Sequence, residues 1–148
     1  LGDLLSADDL RRASHKKFRA IHRAQQPDGA FPEYGGGDVG YQTITLACLS
    51  LAHRQSPSDL LDEMLTRGIQ WLDTRLDACG GFDAESGSRR TQFIYPSGIA
   101  YRNRSLYVRF LAGLEAGRLL EPGAMDDRYF IPLATDYLLA DRQDSSRG

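Results

Sequence analysis

The sequence predicts an all-α fold, built from α/α-hairpin repeats that form a partial α/α toroid, with an irregular helical bundle as the alternative. Three observations predict it. Apolar residues recur at helical spacing along most of the chain, while the period-two alternation of a half-buried strand is almost missing. A glycine-flexed loop occurs twice, as Gly29-Ala30-Phe31-Pro32-Glu33-Tyr34-Gly35-Gly36 and as Gly80-Gly81-Phe82-Asp83-Ala84-Glu85-Ser86-Gly87, with Phe31 and Phe82 in register at an offset of 51 and Glu33 and Glu85 at 52. Each copy sits between an amphipathic helix and a more apolar one, the alternation found in stacked helical hairpins.

Ser6 is the expected N-cap of the first helix, and Asp8 and Asp9 place negative charge where it opposes the helix dipole favourably. The stripe Leu10, Ser14, Phe18, Ile21, Gln25 keeps helical spacing. Pro27-Asp28-Gly29 ends this helix, because proline lacks the backbone donor and Asp-Gly favours a turn. From Tyr41 to His53 apolar residues cover nearly the whole circumference, so the second helix is expected to be buried on most sides. Ser58 then caps a third helix whose apolar set, Leu61, Leu65, Gly68, Leu72 and Leu76, lies along one side, the mark of an outer helix. A second long loop spans Asp77 to about Pro96. The fourth helix is expected over Ile99 to Leu120, with Glu121-Pro122-Gly123 as its stop, and a last helix carries Tyr129, Phe130, Leu133 and Tyr137 with Pro132 starting or kinking it.

The long loops follow the first and third helices and therefore emerge at one end, bringing the two Gly-Phe-acid turns together. Residues 1–140 read as a single helical domain of two helix–loop–helix units and a C-terminal helix, and residues 141–148 as a polar, disordered tail. With 20 acids against 18 Lys and Arg, the overall field gives no reason to expect nucleic acid or an anionic membrane as partner. No apolar run approaches the roughly 20 residues that cross a bilayer. The start Leu1-Gly2-Asp3-Leu4-Leu5 lacks the basic region of a secretory signal, so the cytoplasm is the default location. The chain does not begin with Met, which leaves export and an upstream segment open.

Gln25-x-x-x-Gly29-x-Phe31 resembles the Gln-x-x-x-Gly-x-Trp element of α/α-barrel proteins such as terpene cyclases, with Phe in place of Trp. The run from Glu33 to Gln42 more closely resembles bacterial α/α-toroid proteins of polysaccharide metabolism, of the heparinase and polysaccharide-lyase kind, and the likeness continues through Glu85-x-Gly87-Ser88-Arg89-x-Thr91 and Tyr95-Pro96-x-Gly98. It covers roughly residues 25 to 115. The resemblance implies a complete or partial α/α toroid and a carbohydrate ligand. A six-hairpin ring needs more helices than this chain holds, so the ring is partial or is completed by further copies or further sequence.

Three carboxylates on the apposed loops, Glu33, Asp38 and Glu85, supply candidates for glycoside hydrolysis, which needs two at about 5 to 9.5 Å. Asp38 equally suits the cap of the Tyr41 helix, and Glu33 and Glu85 equally suit loop amides. Arg89 and Arg90 suggest lyase chemistry, because a guanidinium neutralises a uronate carboxylate while Tyr34, Tyr41 or Tyr95, with a lowered pKa, takes or gives the proton. The alternative is that either arginine pairs with Glu33 or Glu85 and staples the loops. Phe31, Tyr34, Tyr41, Phe93 and Tyr95 offer ring faces to sugars, with Gln42 and Gln92 for hydroxyls, although Phe31 and Phe82 fit better as loop anchors in the core.

Glu33, Glu85, Tyr34 and Tyr95 are thus the catalytic candidates, and Asp38, Tyr41, Gln42, Arg89, Arg90 and Gln92 the substrate-binding ones. A noncatalytic carbohydrate-binding or assembly module is the competing reading. A terpenoid site is a third, although the Asp-x-Asp-Asp cluster it calls for is missing. Cys48 reads as a small core residue and Cys79 as a loop residue, with no disulfide expected. The basic first helix, with His15 and His22 seven residues apart, reads as a solvated face. No Walker loop, dinucleotide fingerprint, nucleophile elbow or zinc-protease motif occurs, so neither cofactor nor metal is expected.

Overall fold

A computed structural model describes residues 7–145, and the Ser6 cap expected above lies outside them. The described chain is all-α. Six helices follow in order: α1 (Asp8–Ala24), α2 (Val39–Gln55), α3 (Asp59–Asp73), α4 (Ser97–Arg102), α5 (Arg104–Glu115) and α6 (Asp127–Ser145). No strand occurs among the described residues beyond one isolated bridge between Glu33 and Gly36.

The two inner helices set the arrangement. α2 packs on α3 and α4; α4 also packs on α5 and α6; α1 leans on α3. The core runs through Leu46, Met64, Leu65, Leu72, Ile94, Ile99, Leu106 and Phe110. α3 buries Leu61, Leu65, Gly68 and Leu72, as its spacing requires. α1 buries no residue fully, and its stripe only leans on the core through Phe18. α2 is buried around most of its circumference, but Cys48 is exposed, which corrects its assignment to the core.

The glycine turn recurs in the backbone. Gln26 N–H donates to Ala30 O at 2.8 Å and Gly29 N–H to Gln26 O at 2.9 Å; 51 residues later Asp77 N–H donates to Gly81 O at 2.8 Å and Gly80 N–H to Asp77 O at 3.0 Å. Both turns place a glycine in the left-handed region, Gly29 at φ 100° and Gly80 at φ 80°. Both also press that glycine onto a later helix. A Cβ on Gly29 would stand 2.2 Å from Arg67 O of α3, and one on Gly80 2.1 Å from Arg109 O of α5. Only glycine meets both demands.

Three boundaries depart from expectation. The fourth helix is two helices, because Asn103 is extended (φ −143°, ψ 96°) and its side chain accepts from Leu106 N–H at 3.0 Å, capping α5. α5 stops at Glu115 rather than near Glu121. Gly117 there takes φ 66°, Arg118 N–H reaches back to Gly113 O at 2.9 Å and Gly117 N–H to Leu114 O at 3.0 Å, closing a Schellman motif. Finally, residues 141–145 belong to α6 instead of a disordered tail, with Ala140 and Gln143 buried against the rest. Pro132 lies inside α6, in its second turn.

Candidate functional site

The two long loops meet at the end of the molecule where α2 and α4 begin. Ser88 links them, its N–H donating to Gly37 O at 3.1 Å and its hydroxyl to Glu33 O at 2.6 Å. Asp38 is the larger tie. It is 1% exposed, and its carboxylate accepts from Tyr41 N–H at 3.1 Å within its own helix cap and from Arg89 N–H at 3.0 Å and Thr91 N–H at 3.2 Å across the loops. Expected to bind substrate, Asp38 instead sits beneath the surface with both oxygens committed to backbone donors. Gln42 is likewise fully buried, accepting from Phe31 N–H at 2.8 Å and donating to Gly29 O and Gly68 O. It joins loop, α2 and α3, and faces no solvent that a sugar could occupy.

Arg89 stands at the surface above this junction. Its guanidinium lies 4.3 Å from the Tyr34 ring centroid and 5.6 Å from that of Tyr41. Its interaction with the Tyr41 side chain, with the fields of both phenols and of Glu33, holds the Arg89 pKa above its usual value. The loop backbone presents these groups under strain. Tyr34 has φ 49° and Arg90 φ 53°, and they are the described non-glycine residues in the left-handed region. Tyr34 is held there by a tight turn in which Glu33 N–H donates to Gly36 O at 2.7 Å, and its ring is 80% exposed.

Tyr41, Arg89, Arg90 and Gln92 line one open concavity of about 400 Å³, together with Phe93 and, from the segment entering α6, Asp126 and Tyr129. Phe93 contacts Tyr129 at 5.5 Å between ring centroids and Tyr95 at 5.9 Å. Glu85 lies elsewhere, in an adjoining concavity of about 380 Å³ that shares Gln92, and Glu33 lines neither. The paired carboxylates expected for hydrolysis therefore do not face one another across a single mouth. Glu85 makes an exposed ion pair with Arg90 at 3.3 Å, the stapling alternative. Tyr95 is poorly suited to act as a base, because burial, followed by the field of Asp136, pushes its phenol above the ordinary value.

Asp136 carries no mark in the sequence that sets it apart from other helix acids. This buried carboxylate of α6 accepts from Ser97 N–H at 2.8 Å and from the Ser97 hydroxyl, thereby tying α6 to the start of α4. Burial raises its pKa against the lowering effect of those two bonds. Tyr129, expected only as a ring of the last helix, joins the concavity because the packing of α6 brings it beside Phe93. Among the described residues, no group of three or more His, Cys, Asp or Glu is arranged to hold a metal ion. Among the described residues no helix is long and apolar enough to cross a membrane. The chain matches no protein-family model, no curated protein and no solved structure.

Proposed function

We propose that this chain binds an acidic oligo- or polysaccharide in the loop-lined concavity, with Arg89 engaging a sugar carboxylate. The observation that carries the reading is the exposed Arg89 guanidinium packed against Tyr34 and Tyr41, with left-handed backbone at Tyr34 and at the neighbouring Arg90. A guanidinium forms paired hydrogen bonds with a carboxylate, and stacking on rings holds it ready at little entropic cost. Phe93 and Tyr129 add apolar ring surface for a pyranose face, and Gln92 a partner for hydroxyls. The polar groups converging on this mouth argue against a dry terpenoid cavity. In the same reading the alternation of exposed and buried helices is an incomplete α/α toroid, whose mouth lies where the inner helices start.

Binding without turnover is favoured over hydrolysis, because Glu33 and Glu85 do not share the concavity. One observation keeps a lyase as the second reading: the Arg89 guanidinium lies 5.6 Å from the Tyr41 ring centroid, which puts a proton-transfer group beside the cation that would neutralise a uronate. Titration calorimetry with oligogalacturonate and a neutral malto-oligosaccharide tests both. Binding of the acidic ligand alone, weakened at least tenfold by Arg89→Ala, is the expected result. Ultraviolet absorbance of unsaturated ends, lost in Tyr41→Phe while binding persists, would establish the lyase. Equal affinity for both sugars, or affinity indifferent to Arg89→Ala, would end the proposal.

A further inference from the structure

We infer that the exposed flank of α1 is a second binding surface, which holds a linear anionic polysaccharide along the helix. Charge is segregated in this chain. From Leu10 to Pro27 there are six Lys or Arg, two His and no acid, so the rest of the chain carries 12 Lys or Arg against 20 acids. A helix selected only for solubility mixes signs, since opposite charges four residues apart stabilise it and like charges cost about as much. Here Arg12 and Lys16, and again Arg19 and Arg23, are like-charged pairs at that spacing.

The fold leaves this row open. Arg12, Lys16, Arg19 and Arg23 share one flank, at axial intervals of about 6, 4.5 and 6 Å from the helical rise. With Arg11 and His15 they line a continuous shallow recess of about 580 Å³. Asp9 pairs with Arg12 and Asp8 with Arg11, but among the described residues no carboxylate lies within ion-pairing distance of Lys16, Arg19 or Arg23. The other side of α1 is engaged with the body, through Phe18 in the core and His22 at 3.2 Å from Glu63 of α3.

A straight row of cations at short, regular intervals suits a chain that repeats one carboxylate per sugar. The flank holds no Asn, Gln, Phe, Tyr or Trp, so base contact there would fall to His15 and the arginines alone, and the DNA arm of the test below separates that case. Nor does an apolar wedge accompany the charges as in a membrane-surface helix, because Leu10 and Ile21 lie on the opposite side. The choice of a saccharide among polyanions rests on the acidic-saccharide reading of the cleft.

The test measures binding of polygalacturonate and of a short oligogalacturonate over a series of salt concentrations. Lys16→Gln/Arg19→Gln is expected to weaken polymer binding about tenfold at low salt and to flatten its logarithmic salt dependence by about two ions, leaving oligomer binding in the cleft unchanged. Arg54→Gln/Arg142→Gln removes the same charge from exposed positions elsewhere and is expected to leave both ligands unaffected. An unchanged polymer slope in Lys16→Gln/Arg19→Gln overturns the inference and leaves the cleft standing. If Arg89→Ala spares the oligomer while Lys16→Gln/Arg19→Gln still loses the polymer, the cleft reading fails and the α1 surface stands. Binding of a DNA duplex or of phosphatidylserine vesicles as tight as that of polygalacturonate at equal salt overturns the assignment to a polysaccharide.

Discussion

Asp38 is the residue on which the meeting of the two loops depends. Asp38→Ala strands three backbone donors, of Tyr41, Arg89 and Thr91, and is expected to cost about 3–5 kcal/mol in urea unfolding, with Asp38→Asn losing less because one amide oxygen remains. Equal losses for the two variants would show that the hydrogen bonds are not what matters. Glycines separate two physical demands in the same way. Gly80→Ala meets both a left-handed backbone and Arg109 O, whereas Gly117→Ala, at φ 66° with nothing near its Cβ, meets only the first. The expected losses are about 2–5 and about 1 kcal/mol respectively. Asp136 gives a pH signature. Its folded pKa is raised, so the folded state holds the proton more tightly than the unfolded state; that contribution is present below the unfolded value of about 4 and is lost as pH rises through the folded one. Asp136→Asn keeps an acceptor for Ser97 and removes the titration. Its stability relative to the parent should therefore improve between acidic and neutral pH, and a difference that stays flat or shrinks would refute the assignment.

At the scale of elements, short polar interruptions decide where helices end. Asn103 divides what periodicity alone reads as one helix, because its side chain satisfies a donor at the start of α5 while its extended backbone turns the chain. Asn103→Ala is expected to lower stability by about 1 kcal/mol, seen as an earlier urea midpoint. The sequence carried a usable cue, an Asn followed by the apolar stripe Leu106, Tyr107, Phe110, but the hydrophobic pattern on either side overrode it. Gly117 is a similar cue, a glycine after the last periodic residue, although Pro122-Gly123 is the stronger stop signal in sequence. The repeated turn is legible because it is local: Gly-x-Phe just after a helix, as Gly29-Ala30-Phe31 and Gly80-Gly81-Phe82, goes with the same backbone hydrogen bonds in both copies.

At the scale of the whole molecule, stability is uneven. α2 and α4 lie at the centre of the packing, whereas α1 buries no residue fully, so its amides should exchange with deuterium well before those of α2. Comparable protection in both helices would contradict the described packing. The open flank of α6 is a further consequence of the arrangement: Ile131 and Leu138 are 68% and 67% exposed, while Leu133 and Ala140 on the other side are fully buried.

By itself the sequence determined the all-α class, the duplicated glycine turn, most helix positions and the convergence of the two loops, since helical periodicity and turn chemistry act between near neighbours. The tertiary structure alone decided the fate of each candidate. It buried Asp38 and Gln42 in loop-holding bonds, set Glu85 against Arg90, raised Tyr95 by burial, left Arg89 on its tyrosines, brought Tyr129 of α6 beside Phe93 and tied Asp136 of α6 to Ser97. A carboxylate reads the same in sequence whether it faces solvent or backbone amides, and which one it meets depends on segments fifty or more residues away.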